Sequence, residues 1–364
     1  MIPTSKSFLS NTEIQTLLQL ARHPNTQIAA PPGAGFDFSR IVRSVIGGDL
    51  AGFFLPSLSD LGLSKKDQRF MSAIALQTEV ENRIYRTEAV ELCATAQREG
   101  LCLVPLKGAA LLIEDTYPDL SCRKMCDIDL LTPRDSLDAM RGFLLRMGYR
   151  DCSDYQRMYR YSRSLLFRKE VEGLSIPVEL HWSAFLEMAP SRKLDRAVLS
   201  RLRQVEVDGH PLFLLAPEDH LLSMAIHLAL HRYRIRLKWL LDLSRYHEQC
   251  SATFDWPLFW QNTASLGANR AVNYSLYLAK ELLESSVQLA GPPSETLKRC
   301  CPPFALLENR AYESWPRRLA VDLLLRDSLR AGLESWFQKG AELVERHSPI
   351  KMPSLLVRRD PRQE

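Results

Sequence analysis

Apolar positions along the chain recur first at helical spacing, then in alternation, then at helical spacing again. Ile14, Leu17, Leu18 and Leu20 behind Asn11-Thr12 predict a first helix, and a second is expected near residues 36–46, after the break at Pro31-Pro32-Gly33. Phe70, Ile74, Ala75, Val80, Ile84, Ala89, Leu92 and Ala96 then mark one long helix from Ser64 toward Gly100. Beyond Gly100 the pattern mixes. It predicts a strand from Leu101 to Pro105, a helix from Gly108 to about Asp115, a strand from Cys126 to Thr132 and a helix from Arg134 to Met147. Tyr159 to Arg168 and Ile176 to His181 read as two more strands around Glu172-Gly173. In the second, Val178, Leu180 and Trp182 alternate against Glu179 and His181. A strand from His210 to Leu214 precedes a second helical stretch from Pro217, broken at Gly267, Gly291-Pro292-Pro293 and Pro302-Pro303. Four segments are therefore expected: an N-terminal helical region (1–84), an α/β core (85–215), a C-terminal helical lobe (216–345) and a flexible Pro- and Arg-rich tail (346–364).

Composition narrows this α+β reading only modestly. Hydrophobic residues make up 46% and charged residues 25% of the 364, as in an ordinary globular chain. The net charge of +4 permits an anionic substrate without demanding nucleic acid. The eight cysteines show no zinc-ligand spacing, so reduced thiols are expected. The N-terminus has no apolar leader, and no run of about 18 apolar residues occurs, so a cytoplasmic protein with no membrane partner is expected.

Candidate chemistry concentrates in Cys126-Asp127-Ile128-Asp129-Leu130-Leu131. Side chains two apart on a strand share a face, so Asp127 and Asp129 would present two hard oxygen ligands together. Paired divalent ions in phosphoryl-transfer sites lie about 3.5–4 Å apart, a spacing such carboxylates can flank. His227 and His231 stand at i and i+4, but no Glu follows His227, which argues against zinc-hydrolase chemistry. A polar face turned toward a cleft is expected instead. Arg232, Arg234, Arg236 and Lys238 form a basic run suited either to an anionic acceptor or to a solvated helix start, with Asp242 expected to fix one of these cations. Cys122 and Cys126 are expected to be buried as small apolar residues.

Several motifs then occur in one order: Pro105-Leu106-Lys107-Gly108-Ala109-Ala110-Leu111, Tyr117-Pro118, Arg123, Asp127-Ile128-Asp129-Leu130-Leu131, Gly148-Tyr149 and Val178-Glu179-Leu180-His181-Trp182. Leu215-Ala216-Pro217-Glu218-Asp219, Ile226-His227, His231 and the segment Leu237 to Leu243 follow. Across roughly residues 85–250 the chain resembles the uncharacterised nucleotidyltransferase family found beside natural-product and peptide-modification genes. That resemblance implies a polymerase-β-like nucleotidyltransferase fold, in which a small mixed sheet carries three carboxylates and a glycine-containing turn cradles a triphosphate. Asp127 and Asp129 match the paired metal ligands, and Glu179 matches the third carboxylate.

Where the wider superfamily carries Gly-Ser in its turn, this chain has Lys107-Gly108-Ala109, so Lys107 or the backbone amides would have to meet the phosphates. Lys107 also suits a salt bridge, and Arg123 either neutralises the acid pair or clamps the triphosphate. The implied cofactor is Mg2+, with Mn2+ an alternative. The implied reaction moves a nucleoside monophosphate from an NTP such as ATP to an unidentified acceptor (a biosynthetic small molecule, a peptide or a protein) with release of pyrophosphate. His181, His227, His231, Arg236 and Asp242 are the candidates for the acceptor cleft. Two other readings stay open: a toxin-like tRNA nucleotidyltransferase, which the modest charge does not favour, and an inactive binding or scaffold protein.

Overall fold

The computed structural model describes residues 9–23, 37–153, 164–185, 192–231, 237–303, 315–328 and 333. The tail expected at 346–364, the start of the strand expected from Tyr159, and Arg232, Arg234 and Arg236 lie outside the described residues.

Four helices open the chain: α1 (Asn11–Arg22), α2 (Phe38–Gly47), α3 (Ala51–Asp60) and α4 (Lys65–Arg98). Ser10, not Asn11, caps α1. Its side chain accepts from the Glu13 backbone N–H while the Glu13 carboxylate accepts from Ser10 N–H, so two otherwise orphaned donors are satisfied reciprocally. Ser64 caps the 34-residue α4, as its position ahead of the apolar stripe predicts.

The mixed segment forms a five-stranded sheet in the order β1 (Val104–Pro105), β2 (Ile128–Leu131), β5 (Leu174–His181), β4 (Ser164–Val171), β3 (Arg150–Asp151). Only β2 and β5 run parallel. Helix α5 (Lys107–Ile113) links β1 toward β2, and α6 (Leu137–Arg146) follows β2 after a short 3-10 turn. Glu172 and Gly173 take positive φ of 50° and 79°, the left-handed pair that a two-residue hairpin between β4 and β5 requires. Asp208 and Gly209 do the same between β6 (Arg203–Val207) and β7 (His210–Leu214); β6 was not expected from its own weak alternation.

One sheet face is apolar at its centre: Ile128, Leu130, Leu165, Phe167, Val178 and Leu180 are fully buried and share a cluster with Met140 and Phe143 of α6 and with Leu92 and Cys93 of α4. A second apolar cluster joins α1 to α3 with the later helices. These are α7 (Arg192–Ser200), α8 (Pro217–Leu230), α9 (Leu237–Cys250), α10 (Trp256–Ser265), α11 (Asn269–Leu283), α12 (Glu295–Cys300) and α13 (Trp315–Leu324). Segments from opposite ends of the sequence thus share one core.

Both β1 and β2 are shorter than expected, and for the start of β2 the cause lies in α4. Asn82, fully buried within the apolar stripe, donates to the carbonyls of Leu120 (2.6 Å) and Arg123 (2.7 Å) and accepts from Met125 N–H (2.9 Å). Tyr85 Oη donates to the Cys126 carbonyl at 3.1 Å. The chain is held by the helix up to residue 126 and enters the sheet only at Ile128, so Asp127 stands just before the strand. Cys126 is exposed there rather than buried, whereas Cys122 is buried; all eight cysteines are free.

Replacing Asn82 by Leu removes the side-chain partners of buried backbone groups at about 1–3 kcal/mol each. We expect Asn82→Leu to destabilise the protein by about 3 kcal/mol or more in urea unfolding.

Candidate active site

The polar face of the central parallel pair carries the site. The register sets Asp129 beside Glu179 and Leu131 beside His181, so Glu179 and His181, two apart on β5, flank Asp129 from one side. His181 Nε2 lies 2.7 Å from Asp129 Oδ1 and 3.7 Å from Glu179 Oε2. Ser164, opposite His181 on β4, donates its hydroxyl to Glu179 Oε2 at 3.1 Å, a support that no sequence signal marks. Ligand atoms of Asp129, Glu179 and His181 all lie within 4.8 Å of one another. This group differs from the set expected from sequence: His181 takes part, and Asp127, short of the strand, is not a member.

From the other side comes the turn into α5. Lys107 has φ of 48°, left-handed for a residue with a Cβ, and its Nζ reaches Asp129 Oδ1 at 2.9 Å. Such backbone strain is typical of sites where the surrounding structure dictates the conformation. Of the two sequence readings of Lys107, the salt bridge is the one present. Gly108 has a packing reason to be glycine: a Cβ there would lie 2.7 Å from both Arg123 Nη1 and Met125 Sδ.

The electrostatics separate the two aspartates. Burial opposes ionisation of Asp129, but the Lys107 ammonium and the His181 ring outweigh it and hold the carboxyl well below the usual carboxylate range. Asp127 goes the other way. Burial and the neighbouring Asp129 and Glu179 charges push it up to about 6, against the opposing pull of Lys107 and Arg123. The cluster therefore carries more negative charge than its own cations neutralise, which a hard divalent cation would relieve. Two carboxylates and one imidazole, from Asp129, Glu179 and His181, are a donor set that fits Mg2+ or Mn2+.

Arg123 and Asp242 require correction. Arg123 is buried and donates through Nε and Nη2 to the two oxygens of Asp242 at 2.7 and 2.8 Å, and Tyr117 Oη donates to the same carboxylate at 2.7 Å. A guanidinium committed in this way is no triphosphate clamp. Asp242 fixes Arg123 and is buried, so it is not open to an acceptor. From the basic run, Lys238 is also buried and pairs with Asp49 at 2.6 Å. Arg236 is outside the described residues. His227 does face the site, in a cleft it shares with Lys107 and His181. Burial, reinforced by the nearby Lys107 charge, holds its ring pKa well below the ordinary value and so keeps it neutral. His231 is exposed, and its ring meets those of His227 (4.5 Å) and Trp239 (4.9 Å).

A family profile described as "Uncharacterised nucleotidyltransferase" matches residues 34–284, more than half of the chain. The chain belongs to that family. As a nucleotidyltransferase it is an enzyme, and its α+β architecture with a mixed five-stranded sheet agrees with the fold expected. No curated protein matches it. Among solved structures, it is similar to the antibiotic-resistance factor ANT(2'')-Ia in solution, at 17% identity over 55% of this chain and 96% of that one, with a TM-score of 0.34. The same factor in complex with adenylyl-2''-tobramycin gives 15% identity over 50% and 97%, with a TM-score of 0.34. An antigenic nucleotidyltransferase-like protein from Paracoccidioides brasiliensis gives 13% identity over 57% and 94%, with a TM-score of 0.36. Overlaps this loose assign no residue. No helix among the described residues of the nucleotidyltransferase is long and apolar enough to cross a membrane.

Two measurements follow from this geometry. Asp127, pushed up to about 6 in the folded chain, lies above the ordinary aspartate value of about 3.9, so its ionisation opposes folding. That penalty is absent below about pH 4, grows as pH rises to about 6 and is complete above it. In EDTA, Asp127→Asn is expected to raise the melting temperature most at about pH 8, by on the order of 1–2 kcal/mol of stability after allowance for solvent screening, with the gain vanishing toward about pH 4. Asp242→Ala strands the buried Arg123 charge and is expected to cost about 3–5 kcal/mol of stability. A nucleotide-contact role for Arg123 would instead leave urea unfolding near wild type and weaken only NTP binding.

Proposed function

We propose that this nucleotidyltransferase moves a nucleoside monophosphate from an NTP to an acceptor hydroxyl, releasing pyrophosphate, in a reaction that requires Mg2+ or Mn2+. The observation that carries this reading is the convergence of Asp129, Glu179 and His181 within 4.8 Å on the polar face of two parallel strands, with Asp127 alongside and Lys107 reaching in from the opposite turn. Asp129, Glu179 and His181 are the residues that would hold the metal. Bound there, the cation supplies Lewis-acid polarisation of the α-phosphate and neutralises charge on the departing pyrophosphate.

The side chains divide the remaining work. Lys107 is a compact cation on a flexible stem, and its ammonium can turn from Asp129 to a phosphate oxygen once Asp129 has another positive partner. It replaces the serine hydroxyl that the usual turn would offer. Glu179 is the more exposed carboxylate of the group, at 38% against 10% for Asp129, and is steadied by Ser164, so it is the one able to meet an incoming hydroxyl and take its proton. His181 bridges Asp129 and Glu179 and fixes their spacing. The cleft between this face and α8 is where an acceptor can approach, since small-molecule sites favour such junctions.

Incubation with α-labelled NTP and Mg2+ tests the proposal through pyrophosphate release and label transfer. Asp129→Asn and Glu179→Gln are each expected to lower the rate by at least about 100-fold, EDTA to abolish it and Mn2+ to restore it. Equal rates for the variants and wild type would overturn the reading.

A further inference from the structure

The sheet face that carries the acids also carries charge of the opposite sign. Side chains alternate along a strand and pair across it, so the register sets which residues share this face: Leu166 beside Glu179, and in the next row Pro177, Arg168 and Arg150. That row lies on the side of Asp127, which stands just short of β2. Arg168 and Arg150 are exposed and directly opposite each other on β4 and β3, while the half-buried Leu166 and Pro177 floor the space between them and the acids. Strands about 4.8 Å apart, rising about 3.4 Å per residue, put the Arg168 Cα about 8 Å and the Arg150 Cα about 12 Å from that of Glu179.

Like charges placed directly opposite each other oppose strand pairing. A charge on a short edge strand deters pairing with another chain, which accounts for Arg150 on the two-residue β3. It does not account for Arg168, on a strand flanked by β5 and β3. On the opposite face the neighbouring cations have acids set against them, Lys169 with Glu88 and Arg141 with Asp151, each at 2.7 Å. Glu170, the next residue of β4 on the arginine face, stands two positions farther from Glu179, and one carboxylate beside two guanidinium groups leaves a positive surplus. Arg168 also acts toward the site: Tyr85, whose hydroxyl burial pushes up to about 12, feels the Asp127 charge and, in the opposite sense, that of Arg168.

The place of this surplus decides what it can hold. Lys107, the cation assigned to the triphosphate, reaches Asp129 from the turn after β1, on the far side of β2 from β5. The arginines lie beyond Glu179 in the other direction, where an alcohol that meets Glu179 extends over Leu166. Guanidinium forks match the paired oxygens of phosphate and carboxylate, and two of them offset the repulsion that the acid cluster exerts on an anion.

We propose that Arg150 and Arg168 form the subsite for an anionic group of the acceptor, a small molecule with a hydroxyl at one end and a phosphate or carboxylate at the other. The assignment rests on the nucleotidyl-transfer reading above. In the reaction, the hydroxyl oxygen bonds to the α-phosphorus and the bond from that phosphorus to the α,β-bridging oxygen breaks. Pyrophosphate leaves with that bond's electron pair, and the hydroxyl proton passes to Glu179 and then to water.

Calorimetry on the full chain with Mg2+ and the α,β-methylene analogues of ATP, GTP, CTP and UTP first identifies a nucleotide that binds; failure of all four would overturn the nucleotidyl-transfer reading itself. With that analogue bound, hydroxyhexyl phosphate, hydroxyhexanoate, hexanediol and aminohexanol test the subsite. At least one anion is expected to bind about tenfold tighter than the diol or the amine, and Arg168→Gln and Arg150→Gln each to remove about tenfold of that affinity. The tighter of the two anions names the group. Equal or tighter binding of the diol or the amine overturns the proposal, as does wild-type affinity for the anion in both variants. Weaker binding of the nucleotide analogue itself in the variants would give the arginines to the triphosphate and overturn the assignment. A melting temperature well below wild type in both would make them structural, with the same result. Binding of tRNA but of neither anionic probe would replace the small molecule by RNA.

Discussion

The site depends on one parallel pairing. Asp129 stands beside Glu179 because β2 and β5 run in the same direction in the register Ile128 to Val178. A slip of one residue would exchange the faces, sending the carboxylates into the apolar layer of Leu165, Phe167 and Phe143 and turning Leu130 and Leu180 toward solvent. The fully buried side of the sheet therefore specifies the polar side. Packing energy on one face fixes acid geometry on the other, and no separate device is needed to align the two strands.

On that face, similar side chains acquire different characters from their neighbours. Asp129 is held ionised between Lys107 and His181, Asp127 is pressed toward its protonated form by burial and like charge, and Glu179 keeps partial access to solvent with a serine to steady it. The Arg123–Asp242 pair belongs to a different layer of the design. It lies buried against Gly108 and Met125, joining the loop before β2 to α9, and it braces the turn from behind rather than touching what lies in front.

Much of this framework was legible in the sequence where the signal is local. Val178 and Leu180 alternating with Glu179 and His181 placed β5 and its polar face, Glu172-Gly173 marked the hairpin, and Ser64 ahead of an apolar stripe marked α4. What escaped depends on distant partners. Arg123 and Asp242 are 119 positions apart, and nothing near either residue names the other. The late entry of β2 into the sheet, which leaves Asp127 outside it, is imposed by Asn82 and Tyr85 from a helix some 40 residues earlier. The left-handed backbone at Lys107 is also invisible, since lysine carries no signature for it. By contrast, Asp208-Gly209 did carry the hairpin signal that would have revealed β6.

Asn82 has a consequence for how such chains diverge. It grips residues 120–125 through two carbonyls and one amide, atoms that every amino acid at those positions supplies except proline at the amide. The identity of the loop's side chains is largely uncoupled from its path. Relatives could rewrite much of this segment and keep their acids in place, while a single change in a helix remote from the carboxylates would move them. In this architecture, residues that safeguard chemistry are to be sought among those that hold backbone as well as among those that face the substrate.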